Sequence, residues 1–189
     1  MTTTDSPKKK GSVPRWLAIP TAKPQLNTAE VASKYPRLRF QVFMGIFIGY
    51  ATFYLIRNNV PLVTPILTHE LGFSNAAIGA LSTALLLAYG FSKFFTAMIS
   101  DRSNARLFLP IGLVLSGIAN VLLAIAGYMG SGAAAAGYGA AIASTMAAIM
   151  VFNGIFQGMG WPPSGRVLVN WFSTSERGSK VSLWNTAHN

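Results

Sequence analysis

The sequence predicts an all-α membrane protein with four full spans and the beginning of a fifth. Three observations carry that expectation. Only 11% of the 189 residues are charged, against 51% hydrophobic, whereas a soluble domain carries about a quarter charged residues. From Leu107 to Gly165, 59 consecutive residues include no Asp, Glu, Lys or Arg, enough for two crossings at about 20 apolar residues each. The net charge of +10 sits between the apolar runs and in the amino-terminal region, which argues for a lipid bilayer and against nucleic acid as partner.

Residues 1–36 are polar and rich in Pro, Thr and Lys and read as a disordered tail. The apolar stretch in "KKKGSVPRWLAIP" is too short for a secretory signal. Residues 37–189 read as a transmembrane helical domain. Its first span runs from about Phe40 to Leu67 and is interrupted by Pro61 and Pro65. The second runs from about Ala76 to Ser100, the third from Leu107 to Gly127, and the fourth from about Tyr138 to Pro162. "SGAAAAGYGA" blurs the start of the fourth, and a fifth begins near Lys180.

Lys and Arg mark the cytoplasmic loops. The segment to Arg39 carries eight of them, the turn "DRSNAR" carries Arg102 and Arg106, and Arg166, Arg177 and Lys180 follow the fourth span. The loops "THELGFSNA" and "YMGSGAAAAG" on the other side carry none, so the amino terminus is expected to be cytoplasmic.

Two cations, Arg57 and Lys93, fall inside spans. A charge near the bilayer centre costs roughly 2.5–3.5 kcal/mol and normally faces a bundle interior with a partner. The five acidic residues, Asp5, Glu30, Glu70, Asp101 and Glu176, all lie in the tail, loops or turns. The partner is therefore either a group on a further part of the protein or an anionic solute. Lys93, about 12 Å from Asp101 along a helix, can also snorkel to the headgroups. Tyr50, Tyr54 and Arg57 share one helix face at i, i+4, i+7, Tyr89 and Lys93 are i, i+4, and Asn185 and His188 are i, i+3. Hydroxyl, amide and imidazole groups can hydrogen-bond an oxyanion, and Arg suits it as a bidentate donor. Each tyrosine taken singly is also explained by core packing or an interfacial belt.

"SDRSNARLFLP", "YGFSKF", "FQGMGWPPSGR" and "WNTAHN", in this order and at these spacings, resemble the organophosphate:phosphate antiporters of the major facilitator superfamily. The resemblance covers about Tyr35 to Asn189. It implies a twelve-helix fold in two six-helix halves with substrate bound between them near the midplane, of which this chain would be a partial amino-terminal half. It further implies exchange of an external organophosphate, glycerol 3-phosphate foremost, for internal inorganic phosphate by alternating access in a bacterial plasma (inner) membrane. On the matching motifs, Arg57 binds the phosphate, Lys93 and His188 assist binding and coupling, and Tyr50, Tyr54, Tyr89 and Asn185 line the route. Asp101, Arg102 and Arg106 occupy the conformational latch of the loop between helices two and three, with Ala97 where the general motif has glycine. Gly154 and Gly158 form a small-xxx-small pair for close helix packing, and Gly160 and Gly165 flank Pro162 and Pro163.

Two departures stand out. Asn58 occupies a position where the resemblance implies a second basic residue, and the family's second arginine, in the other half, has no counterpart before Asn189. The expectation is an amino-terminal fragment whose partner is the remaining carboxy-terminal half. A membrane sensor of sugar phosphates with the same pocket, and a non-functional truncated product, are the alternatives. With no cysteine, no plausible catalytic dyad and no metal-ligand cluster in the sequence, neither an enzyme nor a cofactor or metal is expected.

Overall fold

A computed structural model describes residues 13–21, 24, 26–133, 137 and 139–188. It contains seven α-helices: α1 (Thr28–Arg57), α2 (Asn59–His69), α3 (Asn75–Asp101), α4 (Ala105–Ala133), α5 (Gly139–Gln157), α6 (Trp161–Trp171) and α7 (Thr174–Asn185), with a closing 3-10 turn, Thr186–His188. Among the described residues, four stretches are long and apolar enough to cross a membrane: Thr28–His69, Asn75–Asp101, Ala105–Gly130 and Gly139–Trp171.

The helix starts are set by local chemistry. α1 begins ahead of the expected tail boundary at residue 36, because Asn27 caps it by accepting a hydrogen bond from the Glu30 N–H at 2.8 Å. Pro36 lies inside that helix. Leu17, also assigned to the tail, is buried, and its carbonyl accepts from the Asn104 N–H at 2.8 Å. Residues 1–12 of the expected disordered tail lie outside the described residues. Ser74 caps α3 through the Ala77 N–H, and Ser173 with Glu176 forms a capping box on α7. That box starts the helix of the expected fifth span at Thr174, before Lys180.

Two spans are broken. Pro61 cannot donate to the Arg57 carbonyl and crowds it, so the first span parts at Asn58, three residues ahead of the proline, with φ −86° and ψ 26°. The fourth parts after Gln157 and resumes at Trp161, just before Pro162 and Pro163, which the first turn of a helix accepts. It therefore continues past the expected end at Pro162 to Trp171, and Arg166 lies on a helix rather than in a loop.

Two apolar clusters hold the bundle. One packs Val60 and Leu67 of α2, Leu81 and Leu85 of α3, Leu123 of α4, and Met146 and Met150 of α5. The other packs Phe43, Ile46 and Tyr50 of α1 against Leu168, Phe172 and Trp184. The buried residues of α1, Phe43, Ile46, Tyr50 and Phe53, recur at helical spacing. α3 and α5 approach so closely at Gly154 that a Cβ there would lie 2.4 Å from the Leu85 carbonyl oxygen. Along the same seam Ser92 Oγ donates to the Gly154 carbonyl at 3.4 Å and Thr96 Oγ1 to the Gly158 carbonyl at 3.0 Å.

Candidate functional site

Arg57 ends α1 at the break, between Tyr50 of one apolar cluster and Val60 of the other. Its guanidinium carbon lies 4.3 Å from the Tyr54 ring centroid and 4.0 Å from that of Tyr89. Its Nε donates to Gln157 Oε1 at 3.1 Å. Its Nη2 is buried and has no hydrogen-bond partner among the described residues.

These contacts account for a charge at this depth without a carboxylate. A desolvated cation–π contact contributes about 2 kcal/mol and a hydrogen bond to a charged group about 1.5–3 kcal/mol. Together they offset an insertion cost of roughly 2.5–3.5 kcal/mol. The two ion pairs among the described residues, Lys34–Glu30 and Arg39–Glu176, are elsewhere.

Lys93 turns back along α3 toward Tyr89, its ammonium 4.0 Å from the ring centroid. Tyr89 thus touches both cations. The Tyr50 ring lies 5.5 Å from that of Tyr54 and 4.5 Å from that of Trp184. The structure therefore brings Tyr50, Tyr54, Arg57, Tyr89 and Lys93 into one cluster. Asn185 is exposed at the end of α7. His188 closes the 3-10 turn, which packs on α1 through Ala187, and its side chain lies outside the described residues. Asn58 is exposed at the helix break.

Behind Arg57 stands a polar group that the sequence reading did not single out: Gln157, Asn153 and Ser116, all buried, with Asn120 and Asn59 beside them. The signal was present as amides and a serine inside apolar runs, where such groups need internal partners. The helix spacing that aligned the tyrosines relates residues of one helix only.

At the cytoplasmic ends, Asp101, Arg102 and Arg106 are exposed. The carbonyls that close α3 are held by Arg166 of α6, which donates to the Ser100 and Ser103 carbonyl oxygens. A cation on terminal carbonyls is favourable at a helix C-terminus. A cavity of about 620 Å³ lies beside this turn, lined among others by Ile19, Gly45, Arg106, Arg166 and Trp171.

A broken first span carrying a half-buried cation among tyrosines, and a fourth span broken before two prolines, mark a multi-pass helical membrane domain. The profile of the Major Facilitator Superfamily matches residues 46–189, and the chain belongs to that superfamily as a multi-pass membrane protein. It is 47% identical over 165 residues to a glycerol-3-phosphate transporter of Bacillus subtilis, a match covering 87% of this chain and 35% of that protein. It is 48% identical over 165 residues to a glycerol-3-phosphate transporter of Haemophilus influenzae, covering 87% of this chain and 32% of that protein. It is 37% identical over 175 residues to the membrane sensor protein UhpC of Escherichia coli, covering 92% of this chain and 37% of that protein. The chain thus spans about a third of the length of these curated relatives.

Proposed function

We propose that this chain forms the amino-terminal substrate-binding part of a secondary transporter that exchanges glycerol 3-phosphate, or a similar organophosphate, for inorganic phosphate. Arg57 is the phosphate-binding cation, Lys93 and His188 assist binding and coupling, and Tyr50, Tyr54, Tyr89 and Asn185 line the route. The observation that carries the reading is Arg57 itself, a half-buried guanidinium held by tyrosine faces and one amide, with a buried, unpaired Nη2. Lys93 and Arg57 share Tyr89 with no carboxylate among their described contacts. Two like charges around one ring favour an anion, and a phosphate ester supplies both the charge and the acceptors for a bidentate donor.

In this reading the amino terminus is cytoplasmic, by the distribution of Lys and Arg, and the membrane is the bacterial inner membrane. Asp101, Arg102 and Arg106 serve as a latch that distinguishes the two facing states. Substrate drives the change by binding one state more tightly than the other. The test is phosphate exchange by the full-length protein in proteoliposomes. Arg57→Ala is expected to abolish exchange, and near-normal exchange would sink the assignment.

The likeness to a membrane sensor supports a second reading, in which the same pocket reports a sugar phosphate to a signalling partner. A wild-type protein that binds phosphate esters yet exchanges none in proteoliposomes favours the sensor.

A further inference from the structure

The buried polar residues behind Arg57 form a chain with a fixed direction. Gln157 and Ser116 are 0% exposed and Asn153 1%. Arg57 Nε donates to Gln157 Oε1 at 3.1 Å, Gln157 Nε2 donates to Ser116 Oγ at 2.7 Å, and Ser116 Oγ donates to Asn153 Oδ1 at 2.5 Å. Asn120 Nδ2 donates to the Ser116 carbonyl at 2.9 Å, and Asn59 Nδ2 donates to Asn120 Oδ1 at 3.1 Å. A guanidinium only donates. Gln157 must therefore turn its oxygen to Arg57 and its nitrogen to Ser116, which leaves the Ser116 proton for Asn153. Reversing the Gln157 amide would set its Nε2 donor against the Arg57 Nε–H.

The consequence lies at Arg57. A guanidinium offers an anion two forks, one through Nε and an Nη, the other through both Nη atoms. Gln157 occupies Nε, while the Tyr54 and Tyr89 faces restrain the plane of the group. The unpaired Nη2 belongs to the fork that remains. From this we infer that Gln157 is a positioning residue, which through Ser116 and Asn153 holds Arg57 Nε and presents the Nη1–Nη2 edge to a phosphate oxyanion. The inference rests on the proposed phosphate-binding role of Arg57. It adds that this edge, and so the direction from which phosphate docks, is selected by α5 and α4 rather than by α1.

The experiment is equilibrium binding of radiolabelled inorganic phosphate to the detergent-solubilised full-length protein, as a double-mutant cycle. Gln157→Leu is expected to weaken binding roughly tenfold or more, as for loss of a hydrogen bond to a charged group. Lysine has no Nε for Gln157 to hold. Adding Gln157→Leu to Arg57→Lys should therefore change affinity by no more than about twofold, because coupled residues are non-additive. If the two losses multiply instead, Gln157 acts on the fold at large and the inference is overturned. Ser116→Ala is the second variant: about threefold weaker alone, and silent in the Arg57→Lys background. It decides the matter if Gln157→Leu fails to fold. If Arg57→Lys and Arg57→Ala both bind phosphate as the wild type does, the site reading itself falls, an outcome distinct from additivity.

Discussion

Gly154→Ala tests the seam on which the candidate site is built. A Cβ at Gly154 would lie 2.4 Å from the Leu85 carbonyl oxygen, 2.8 Å from Ala88 Cβ and 2.9 Å from the Tyr89 nitrogen. Two of these obstacles are backbone, so no side chain can swing aside. Reaching ordinary van der Waals separation requires α5 to move about 1 Å from α3. Overpacking of this kind costs about 1–3 kcal/mol. The displacement also weakens the hydroxyl bonds from Ser92 and Thr96 to the Gly154 and Gly158 carbonyls, at about 0.6 kcal/mol each between membrane helices. Less the roughly 1 kcal/mol that alanine gains over glycine inside a helix, the expected net loss is about 1–3 kcal/mol. Because Tyr89 sits on the α3 turn that the new Cβ would press against and contacts both cations, phosphate affinity should fall as well. The assay is thermal unfolding of the full-length protein in detergent, with phosphate binding measured on the folded fraction. Gly79→Ala is the control, since a Cβ there meets nothing within 4 Å in this chain and alanine is the better helix former. Equal melting of the two variants would refute the close-approach argument.

Two further outcomes follow from the cytoplasmic ends. Arg166→Met removes the donors to the Ser100 and Ser103 carbonyls and should destabilise the end of α3 by about 1.5–3 kcal/mol, read as faster amide exchange over residues 97–104. Unchanged exchange there would remove Arg166 from the role given to it. The Arg39–Glu176 pair joins α1 to α7 and predicts a pH dependence. Desolvation pushes the Glu176 carboxyl up, but hydrogen bonds from Arg39 and Ser173 and the Arg39 charge outweigh it and hold it below its ordinary value. A carboxyl depressed in the folded state stabilises above its unfolded pKa, and that contribution is lost as pH falls through the lower folded value. Stability should therefore drop below about pH 4. Glu176→Gln should remove that part of the drop in thermal unfolding scans, and an identical acid limb in the variant would contradict it.

Much of the fold is legible in the sequence because a bilayer punishes every misplaced charge. The spans follow from where Asp, Glu, Lys and Arg are absent, and the second span matches α3 to within one residue at each end. Breaks were less legible. Pro61 and Pro65 both announce an interruption of the first span, but Pro65 lies inside α2, and the Pro61 ring acts on the carbonyl four residues earlier, so the break falls at Asn58 beside Arg57. Pro162 and Pro163 read as an end, yet prolines in a first turn also permit a start, and α6 carries the chain on to Trp171.

The same division holds for the candidate site. Hydropathy alone placed Arg57 and Lys93 in apolar spans, and composition alone showed that no carboxylate accompanies them. The i, i+4 rule grouped Tyr50 with Tyr54 and Tyr89 with Lys93, because both pairs are local to one helix. That Tyr89 of α3 closes over Arg57 of α1, and that Gln157 of α5 holds its Nε, are relations between helices. They depend on how near α5 can come to α3, which Gly154 and Gly158 decide. Sequence thus determined that a cation is committed to the membrane interior, since charge and hydropathy are additive along a chain. Tertiary structure decided which nitrogen of that cation is paired and which is not, since hydrogen-bond direction is set only when helices meet.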